Sequence, residues 1–411
     1  MYGITPALNK PEYKPRNFSE QVRERLSIAT AQHVNKRSSR AIATEDSHGP
    51  DARLCARVRL RTHVAQRRLP GGQPRRRGVR ALTPAPSSQA TQISSARREL
   101  RRHGCPLASS GGDVAAGFFN PYIVHGVSEE KLRSWCVDAF DFYRPLAESA
   151  DSSELGLAII PAYILSEEPS PRPSYADAFF HYRDLTESEL RSFPRRYRHG
   201  TYLISLTIEC KKFLPYLMGR LQRHGGQLKQ AKVASLEDLA SEYDVIVNCT
   251  GFGAGALVPD PKVHAVRGQT IRVHAPWIKQ VVVAGEDFHV IPNIDDVMLG
   301  GTKDADNTSL IPDLHIASKI WNGCLELVPS LKNAKITGHY VGLRPGRQPL
   351  RLEREDHALK SGSGTVPVIH NYGHGGSGIT IAWGCAGDVV RLLSDTIREH
   401  SSSRGQARAR L

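Results

Sequence analysis

Apolar side chains recur with helical and strand periods from about residue 111 onward. One amphipathic helix is predicted by apolar residues at three- and four-residue intervals: Leu132, Trp135, Cys136, Ala139, Phe140 and Tyr143. A second is predicted in the same way by Phe213, Leu214, Leu217 and Leu221. A third should begin near Gly378, with an apolar face made of Ala382, Cys385, Ala386, Val389, Val390, Leu393 and Ile397.

Short β-branched runs predict the strands. Asp244–Cys249 is apolar at successive positions, which is typical of a parallel strand buried on both faces, and it ends at Thr250-Gly251, an exit suited to a ligand-facing loop. An antiparallel sheet is predicted by four closely spaced runs: Gln269–His274, Gln280–Ala284, Phe288–Pro292 and Asp296–Gly301. Such a mixture of strands and helices indicates a two-domain α/β plus α+β protein, for which 411 residues are long enough.

Residues 1–104 show no sustained period of either kind. Residues 1–110 carry 22 Lys and Arg against 7 Asp and Glu, whereas the other 301 residues carry 33 against 34. The pI near 9.6 therefore reflects the N-terminal quarter alone. The Arg-, Pro- and Gly-rich composition there buries too little apolar surface to offset chain entropy. We interpret residues 1–104 as a disordered tail or an aberrant N-terminus, with a nucleic-acid-binding arm as the alternative.

The cysteines and the hydropathy restrict the class of protein. Seven cysteines are scattered without a CxxC pair or a metal-like Cys/His spacing, which favours reduced thiols in an intracellular compartment and predicts no metal site. No apolar run approaches the roughly 18 residues of a membrane span, and the first 30 residues contain no secretory signal. We therefore expect no membrane association.

The segment Val368–Ala386, VIHNYGHGGSGITIAWGCA, has the clearest chemistry. Its five glycines lie around a strand-to-helix transition, at positions 373, 375, 376, 378 and 384. Glycines allow the backbone to approach a ligand closely, and the next helix offers free N–H groups and a positive dipole end. A reduced flavin ring, negatively charged near N1 and C2=O, needs such a partner. The alternative is a Gly-rich turn that caps a core helix.

The string HNYGHGGSGITIAWGCA resembles the flavin-binding signature of the D-amino-acid oxidase family, which includes the D-aspartate oxidases. Other segments match this family in order: Asp113–Gly117 with Pro121-Tyr122, Val247–Gly251, Val266–Gln269 with Ala275–Trp277, Leu299–Thr302, and Val341–Pro345 with Arg351–Glu353. The resemblance covers about residues 105–398. It implies a Rossmann-like FAD-binding domain and a substrate domain built on a mixed or antiparallel sheet.

The resemblance also divides the chain. Residues 105–150, 207–255 and 345–400 would form a discontinuous FAD-binding domain. Residues 151–206 and 256–344 would form the substrate-binding domain. A C-terminal tail, 401–411, follows.

Individual roles are implied by the same resemblance. The residues expected to contact FAD are Gly111, Gly112, Ala116, Gly117, Phe118, Val233, Thr250, Gly375, Gly376, Ser377, Gly378, Ile379 and Thr380. Among these, Gly375 to Thr380 would line the flavin ring, and Val233 and Thr250 would hold the adenosine half. The residues expected at the substrate are Arg344, His289, Lys303, Gly376 and Asn120.

Arg344 matches the arginine that binds the substrate carboxylate in the family. The role suits its chemistry, because a guanidinium fork pairs with a carboxylate through two hydrogen bonds. The alternative is a surface arginine in a turn before Pro345.

The reaction implied by the resemblance needs few side chains. In the family a hydride passes from the substrate α-carbon to flavin N5, and the imine hydrolyses to a 2-oxo acid and ammonia. Oxygen then reoxidises the flavin and hydrogen peroxide is released. Because the cofactor supplies the chemistry, we expect no residue to act as a general acid or base. His374 is expected to be a structural hydrogen-bonding residue.

Two positions bear on the substrate. His289 lies three residues before Pro292, where the family usually has a carboxylate-binding tyrosine, and imidazole can also donate a hydrogen bond. Lys303 follows LGGT, where D-aspartate oxidases tend to carry a basic residue, and a second cation favours a side-chain carboxylate. A solvent-facing lysine is the alternative. The longer lid loop of the neutral-substrate branch is missing, so the sequence favours acidic D-amino acids, with a neutral D-amino-acid oxidase as the alternative.

The family begins with a strand and a G-x-G-x-x-G turn that holds the FAD pyrophosphate. Residues 1–110 contain no such motif, and the close pair Gly71-Gly72 lies in an Arg/Pro run. We therefore expect both the turn and its strand to be missing from residues 1–104. An inactive oxidase-derived protein is a further alternative.

The last three residues, Ala409-Arg410-Leu411, form a small–basic–leucine tripeptide of the kind that the peroxisomal import receptor reads. We expect a peroxisomal protein, or otherwise a cytoplasmic one. We expect it to interact with a D-amino acid, molecular oxygen and the import receptor, and we expect no nucleic-acid partner. Whether it forms a homodimer stays open.

Overall fold

A computed structural model describes residues 40–43, 57–59, 111–122, 124–359, 362 and 364–408. All of these belong to one compact unit, Ser39–Leu411. The last three residues, 409–411, and most of residues 1–104 lie outside the described residues, so the predictions made for them stay predictions.

The described strands join in one mixed sheet. They are β1 (Arg40–Ala43), β2 (Arg57–Arg59), β3 (Leu157–Ser166), β4 (His181–Asp184), β5 (His199–Ile208), β6 (Val245–Asn248), β7 (His264–His274), β8 (Val281–Ala284), β9 (Phe288–Pro292), β10 (Val297–Gly300), β11 (Asp304–Ala305), β12 (Lys335–Ala358) and β13 (Thr365–His374). Their order across the sheet is β2-β1-β6-β13-β12-β7-β10-β9-β8-β3-β5-β4, with β11 paired to β7. The mixed sheet with its helices confirms the predicted fold class.

The α-helices of the described part are of two lengths. Four are long: α2 (Glu129–Ala147), α5 (Cys210–Arg223), α8 (Leu314–Leu327) and α9 (Gly378–Arg408). Five are single turns: α1 (Gly111–Val114), α3 (Ser152–Leu155), α4 (Glu187–Leu190), α6 (Glu237–Ala240) and α7 (Ala254–Leu257). Short 3-10 turns occur at Ala176–Ala178, Gly251–Gly253 and Pro329–Asn333.

The three helices predicted from periodicity are α2, α5 and α9. Helix α2 begins after Ser128, whose hydroxyl accepts a hydrogen bond from the Lys131 N–H, and Glu129 and Glu130 favour the positive end of the helix dipole. The predicted apolar face of α9 is wrong at two positions. Ala382 is exposed and Val390 is 46% exposed, because Val390 lies about 100° around the helix from buried Val389.

The sheet has two parallel parts: one pairs β3 with β8, and the other is formed by β1, β6 and β13. Strand β6 lies between the other two, parallel to both, and its Ile246 is fully buried, as the sequence predicted. Strand β1 corrects the expectation that residues 1–104 contain no strand of the nucleotide-binding domain. With only four residues, β1 is too short for a two-residue period to stand out from the sequence.

Strand β12 joins the parallel part that contains β13 to the antiparallel part. Its first half pairs with β7 through Gly346, and its second half pairs with β13 up to Ala358. Strands β7 to β10 confirm the predicted antiparallel runs, although β7 begins earlier, at His264. Because one strand serves both regions, they share a continuous sheet, and the predicted division into two domains stays a prediction.

Helices α2 and α9 cross at Gly384. A Cβ at this position would lie 2.4 Å from Trp135 Cα and 2.5 Å from Trp135 O. Gly384 therefore allows close helix packing and does not belong to the ligand-binding glycines, with which the sequence grouped it.

Three further features concern the described residues only. No disulfide joins any two of their five cysteines. None of their helices combines the length and apolar character needed to cross a membrane. They contain no group of three or more His, Cys, Asp or Glu side chains that could hold a metal ion.

Candidate active site

A cavity of about 530 Å³ lies where β6, β7, β12 and β13 meet the N-terminus of α9. Its walls come from seven parts of the chain: the segment 112–122, α5 at Leu214, the end of β6, β7, the hairpin between β8 and β9, β12, and the turn from β13 into α9. Its size is that of a small-molecule or cofactor site, about 300–1,000 Å³.

The glycine turn before α9 forms one wall. Gly375 donates its N–H to Pro345 O at 2.9 Å, which holds the turn beside Arg344. A Cβ on Gly376 would lie 2.6 Å from Tyr122 Cδ1, so only glycine fits there. Buried Ser377 accepts a hydrogen bond from Tyr122 N at 2.5 Å and donates one to Tyr122 O at 2.7 Å.

The first turn of α9 borders the cavity through Gly378, Ile379 and Thr380. The first N–H groups of a helix have no partner within that helix and carry its positive dipole end. The cavity is therefore suited to a ligand that carries or develops negative charge on this side.

Arg344 supplies the cation of the cavity. Its guanidinium lies flat against Gly268, where a Cβ would be 2.6 Å from Nη1, and Nη1 donates to Thr302 O at 3.0 Å. Burial lowers the pKa of Arg344. No carboxylate within the described ranges forms a salt bridge with it. Because an enclosed cation without a counter-ion is costly, this geometry is suited to an anion that arrives from outside.

His289 reaches the cavity from β9. Its ring packs on Gly300 and Gly301, and a Cβ on Gly300 would lie 2.1 Å from Nε2. Burial, with a smaller contribution from Arg344, lowers the pKa of His289 to about 4. The ring is therefore neutral near pH 7, and its buried Nε2 has no hydrogen-bond partner.

Three more polar atoms of the cavity wall are buried without a partner: Thr270 Oγ1, Asn371 Oδ1 and His374 Nε2. Buried polar atoms are nearly always hydrogen-bonded, so these atoms indicate where a ligand belongs. His374 differs from the expectation of a structural hydrogen-bonding residue, and burial lowers its pKa to about 4. The sequence analysis missed Thr270 and Asn371, although Thr270 lies on the same strand face as Gly268 and a two-residue period could have identified it.

Lys303 lies behind the cavity mouth. Its Nζ is 4.8 Å from the Tyr122 ring centroid, and Arg344 Cζ is 6.0 Å from the same centroid. Lys303 is 24% exposed and pairs with Glu286 at 2.5 Å. Glu286 borders the cavity and Lys303 does not, so the predicted contact of Lys303 with substrate stays a prediction, and the sequence analysis missed its partner Glu286.

The structure brings most of the predicted site residues together. Those that line the cavity are Gly112, Ala116, Gly117, Phe118, Asn120, His289, Arg344, Gly375, Gly376, Gly378, Ile379 and Thr380. Of the predicted site residues whose surroundings are described, Val233, Thr250, Ser377 and Lys303 do not line it. Val233 packs in an apolar cluster around Ile246. Thr250 is fully buried and donates to Asn248 Oδ1 at 2.7 Å.

The cavity fits the flavin part of FAD. Unpartnered polar atoms, a glycine-lined wall and a helix N-terminus suit a flat ring with a polar edge. The residues that would hold this ring are Gly375 to Thr380, with Gly112 to Phe118 along the adjoining wall. The segment 44–56, which follows β1 and would carry the pyrophosphate, lies outside the described residues, and its sequence contains no G-x-G-x-x-G.

Comparison with known proteins agrees with this site. The sequence model of a family described as "FAD dependent oxidoreductase" matches residues 30–392, a longer span than the motifs alone indicated. A D-amino acid oxidase of Dugesia ryukyuensis is 36% identical over 290 residues, 70% of this chain and 86% of that protein. A D-aspartate oxidase of Homo sapiens is 33% identical over 288 residues, 69% of this chain and 84% of that protein.

Solved structures agree on the fold. A glycine oxidase from Geobacillus kaustophilus superposes with a TM-score of 0.56 at 16% sequence identity, covering 71% of this chain and 86% of the other. At that identity the likeness concerns the fold alone.

Proposed function

The chain belongs to the FAD-dependent oxidoreductases, in the family of the D-amino-acid and D-aspartate oxidases, and on that premise we propose that it oxidises acidic D-amino acids in preference to neutral ones. The observation that carries this proposal is the arrangement of two cations on one tyrosine. Arg344 and Lys303 both lie within 6.0 Å of the Tyr122 ring centroid. A dicarboxylate substrate can use both of them.

The α-carboxylate of the substrate is expected at Arg344. The guanidinium has one hydrogen bond to Thr302 O, which leaves donors for a carboxylate, and such charge-assisted pairs are strong and directional. Neutral His289 adds a hydrogen bond without adding a second charge beside Arg344. Together these two side chains would fix the orientation of the α-carbon.

Bound FAD supplies the redox chemistry, since it accepts two electrons from the substrate and passes them to oxygen. The chain's own contribution is orientation and electrostatics. The N-terminus of α9 favours negative charge in the adjoining part of the cavity. No acid step is assigned to His289 or His374, because a pKa of about 4 leaves both rings unprotonated at neutral pH, and no base step is assigned, because so low a pKa makes each ring a weak base.

Lys303 supports the acidic preference. Its ammonium lies 4.8 Å from the ring centroid of Tyr122, which lines the cavity, so the side-chain carboxylate of a D-aspartate held at Arg344 could approach it. Opposite charges of this kind contribute to specificity more than to raw affinity.

The experiment uses the purified full chain. We expect a flavin absorption spectrum and oxygen consumption with a higher kcat/KM for D-aspartate than for D-alanine, with L-aspartate as the stereochemical control. Arg344→Leu should abolish turnover of both D-amino acids while the flavin spectrum is kept. A higher kcat/KM for D-alanine would identify a neutral D-amino-acid oxidase. A protein that stays colourless and inert with added FAD would be an inactive derivative of the family.

We also propose that hydrogen peroxide is released beside the 2-oxo acid and ammonia, as the reaction of the family implies, and that the chain acts in the peroxisome. The support for the location is the terminal tripeptide Ala409-Arg410-Leu411. A fluorescent protein fused ahead of this tail should accumulate in peroxisomes, and deletion of Leu411 should leave it in the cytoplasm. Equal distributions of the two fusions would exclude the tripeptide as the signal.

A further inference from the structure

Lys303 already has an acidic partner in the structure. Its Nζ lies 2.5 Å from Glu286 Oε2. Glu286 borders the cavity together with Tyr122, His289 and Arg344. The ammonium that a side-chain carboxylate would use is therefore occupied by a carboxylate of the protein itself.

Glu286 is placed by a tight turn between β8 and β9. Gly285 has a φ of +56°, a left-handed conformation that favours glycine, and nothing lies within 4 Å of where its Cβ would be. The side chain of Glu286 is 80% exposed, whereas that of Lys303 is 24% exposed. Glu286 can therefore rotate into water, while Lys303 is held between Tyr122 and the hairpin.

We propose that Glu286 is a specificity-determining residue whose carboxylate occupies Lys303 in the substrate-free enzyme and competes there with the side-chain carboxylate of an acidic D-amino acid. This inference rests on the proposed preference for acidic substrates. An acidic substrate must displace Glu286, whereas a neutral substrate binds at Arg344 and leaves the pair intact. Glu286 thus moderates the discrimination that Lys303 provides.

An acidic substrate can displace the Glu286 carboxylate from Lys303. An ion pair with one exposed partner contributes little, because water solvates the released carboxylate well. A substrate already held at Arg344 brings its second carboxylate to Lys303 at a high effective concentration. The effect of Glu286 should therefore be a modest change in the selectivity ratio, without loss of turnover.

The chain offers a matched control in the next residue. Asp287 is also an exposed carboxylate on this hairpin, but it pairs with Lys319 at 3.7 Å and does not border the cavity. Asp287→Asn changes the net charge by the same amount as Glu286→Gln, without changing the partner of Lys303.

The experiment compares these variants in the FAD-loaded full chain. Glu286→Gln should raise kcat/KM for D-aspartate by roughly two- to fivefold, the size of an exposed ion pair expressed as a rate ratio. It should leave kcat/KM for D-alanine unchanged, and Asp287→Asn should change neither. Inhibition by malonate should strengthen by the same factor in Glu286→Gln, whereas inhibition by acetate should not change.

A double-mutant cycle separates direct competition from a general field effect. In a Lys303→Met background, Glu286→Gln should no longer affect D-aspartate or malonate. If its effect persists there, or if D-alanine gains equally, competition at Lys303 is wrong.

Failure of this inference is distinguishable from failure of the proposed function. If Lys303→Met leaves the D-aspartate to D-alanine ratio unchanged, the proposed acidic preference through Lys303 is wrong, and the inference with it. If Lys303→Met lowers that ratio while Glu286→Gln does not raise it, the proposed function stands and the role of Glu286 is overturned.

Discussion

Three side chains of the proposed substrate site differ in the hydrogen-bond and ion-pair partners that the protein gives them. They are Arg344, His289 and Lys303. Arg344 has a backbone acceptor but no carboxylate in the described part of the chain, and His289 Nε2 has no partner. Lys303 is paired with Glu286. Arg344 and His289 therefore have hydrogen-bonding groups available for a substrate carboxylate, whereas at Lys303 the substrate must compete with Glu286.

Replacement of His289 tests whether its ring binds substrate. His289→Phe removes both ring nitrogens at similar size, and KM for D-aspartate should rise roughly 10- to 150-fold, because hydrogen bonds to charged groups contribute about 1.5–3 kcal/mol. His289→Gln keeps a donor and should lose less. Steady-state kinetics at fixed oxygen measures both.

The pH profile gives a second readout for the same residue. With a pKa of about 4, His289 stays neutral from pH 5 to pH 8, so KM should show no inflection near 6.5 that depends on it. Such an inflection, if removed by His289→Gln, would contradict the neutral-imidazole role.

The sequence predicted residues of this site where they lie within one motif. Arg344, Gly376 and the segment around Gly117 were found because short matching strings contain them. Asn371 lies within the quoted signature but was assigned no role, because the sequence does not show which side of a strand faces the cavity. The Lys303–Glu286 pair was missed because it depends on the turn at Gly285, which decides whether two residues distant in sequence meet.

Among the elements, α2 and α9 show how one residue sets the distance between two helices. Both helices were predicted by their apolar periodicity. Their contact was not, because a glycine inside a Gly-rich string reads equally well as a loop residue or as a packing residue. Gly384 is the packing residue, since Trp135 backbone atoms occupy the space a side chain would need.

Two glycines of α9 form a matched pair for testing this contact. Gly384→Ala should lower the free energy of unfolding by about 1–3 kcal/mol, because the added methyl forces the helices apart. Gly387→Ala should raise it by up to about 1 kcal/mol, because alanine favours the helix and the nearest atom to its Cβ, Arg391 Nη1, is 3.9 Å away. Denaturant titration with equal m-values would measure both. Equal changes in the two variants would exclude the packing role of Gly384.

The continuous sheet organises the whole molecule and was the least predictable feature of the fold. Strand β12 contains Pro345, Gly346 and Pro349 within 24 residues, which a sequence pattern would divide into shorter strands. Its bulge between Gly346 and Arg351 lets it change partner from β7 to β13. Such a change depends on pairing between distant segments, which local periodicity does not contain.

Buried neutral histidines make stability depend on pH. Burial lowers the pKa of His370 to about 4, and an unfolded histidine has a pKa near 6.5. Between these values the unfolded chain binds more protons, so the free energy of unfolding should fall as pH falls from about 6.5 to about 4. Fully buried His370 alone contributes of the order of 3 kcal/mol across this window.

Urea unfolding at pH 7 and at pH 5 measures this slope. His370→Asn should reduce the difference in the free energy of unfolding between pH 7 and pH 5. It should also lower the free energy of unfolding at pH 7, because the contacts with Asn248 and Glu355 are lost. An unchanged difference would show that another group is responsible.

The hydrogen bonds between Tyr122 and Ser377 connect positions 255 residues apart. During synthesis the N-terminal wall of the cavity leaves the ribosome long before the turn that completes it. The N-terminal wall of the cavity therefore cannot complete a flavin site until α9 has been synthesised. We therefore expect the cofactor to bind after translation. A chain arrested before Gly375 lacks the turn that closes the cavity, so only chains that contain this turn can bind the cofactor there.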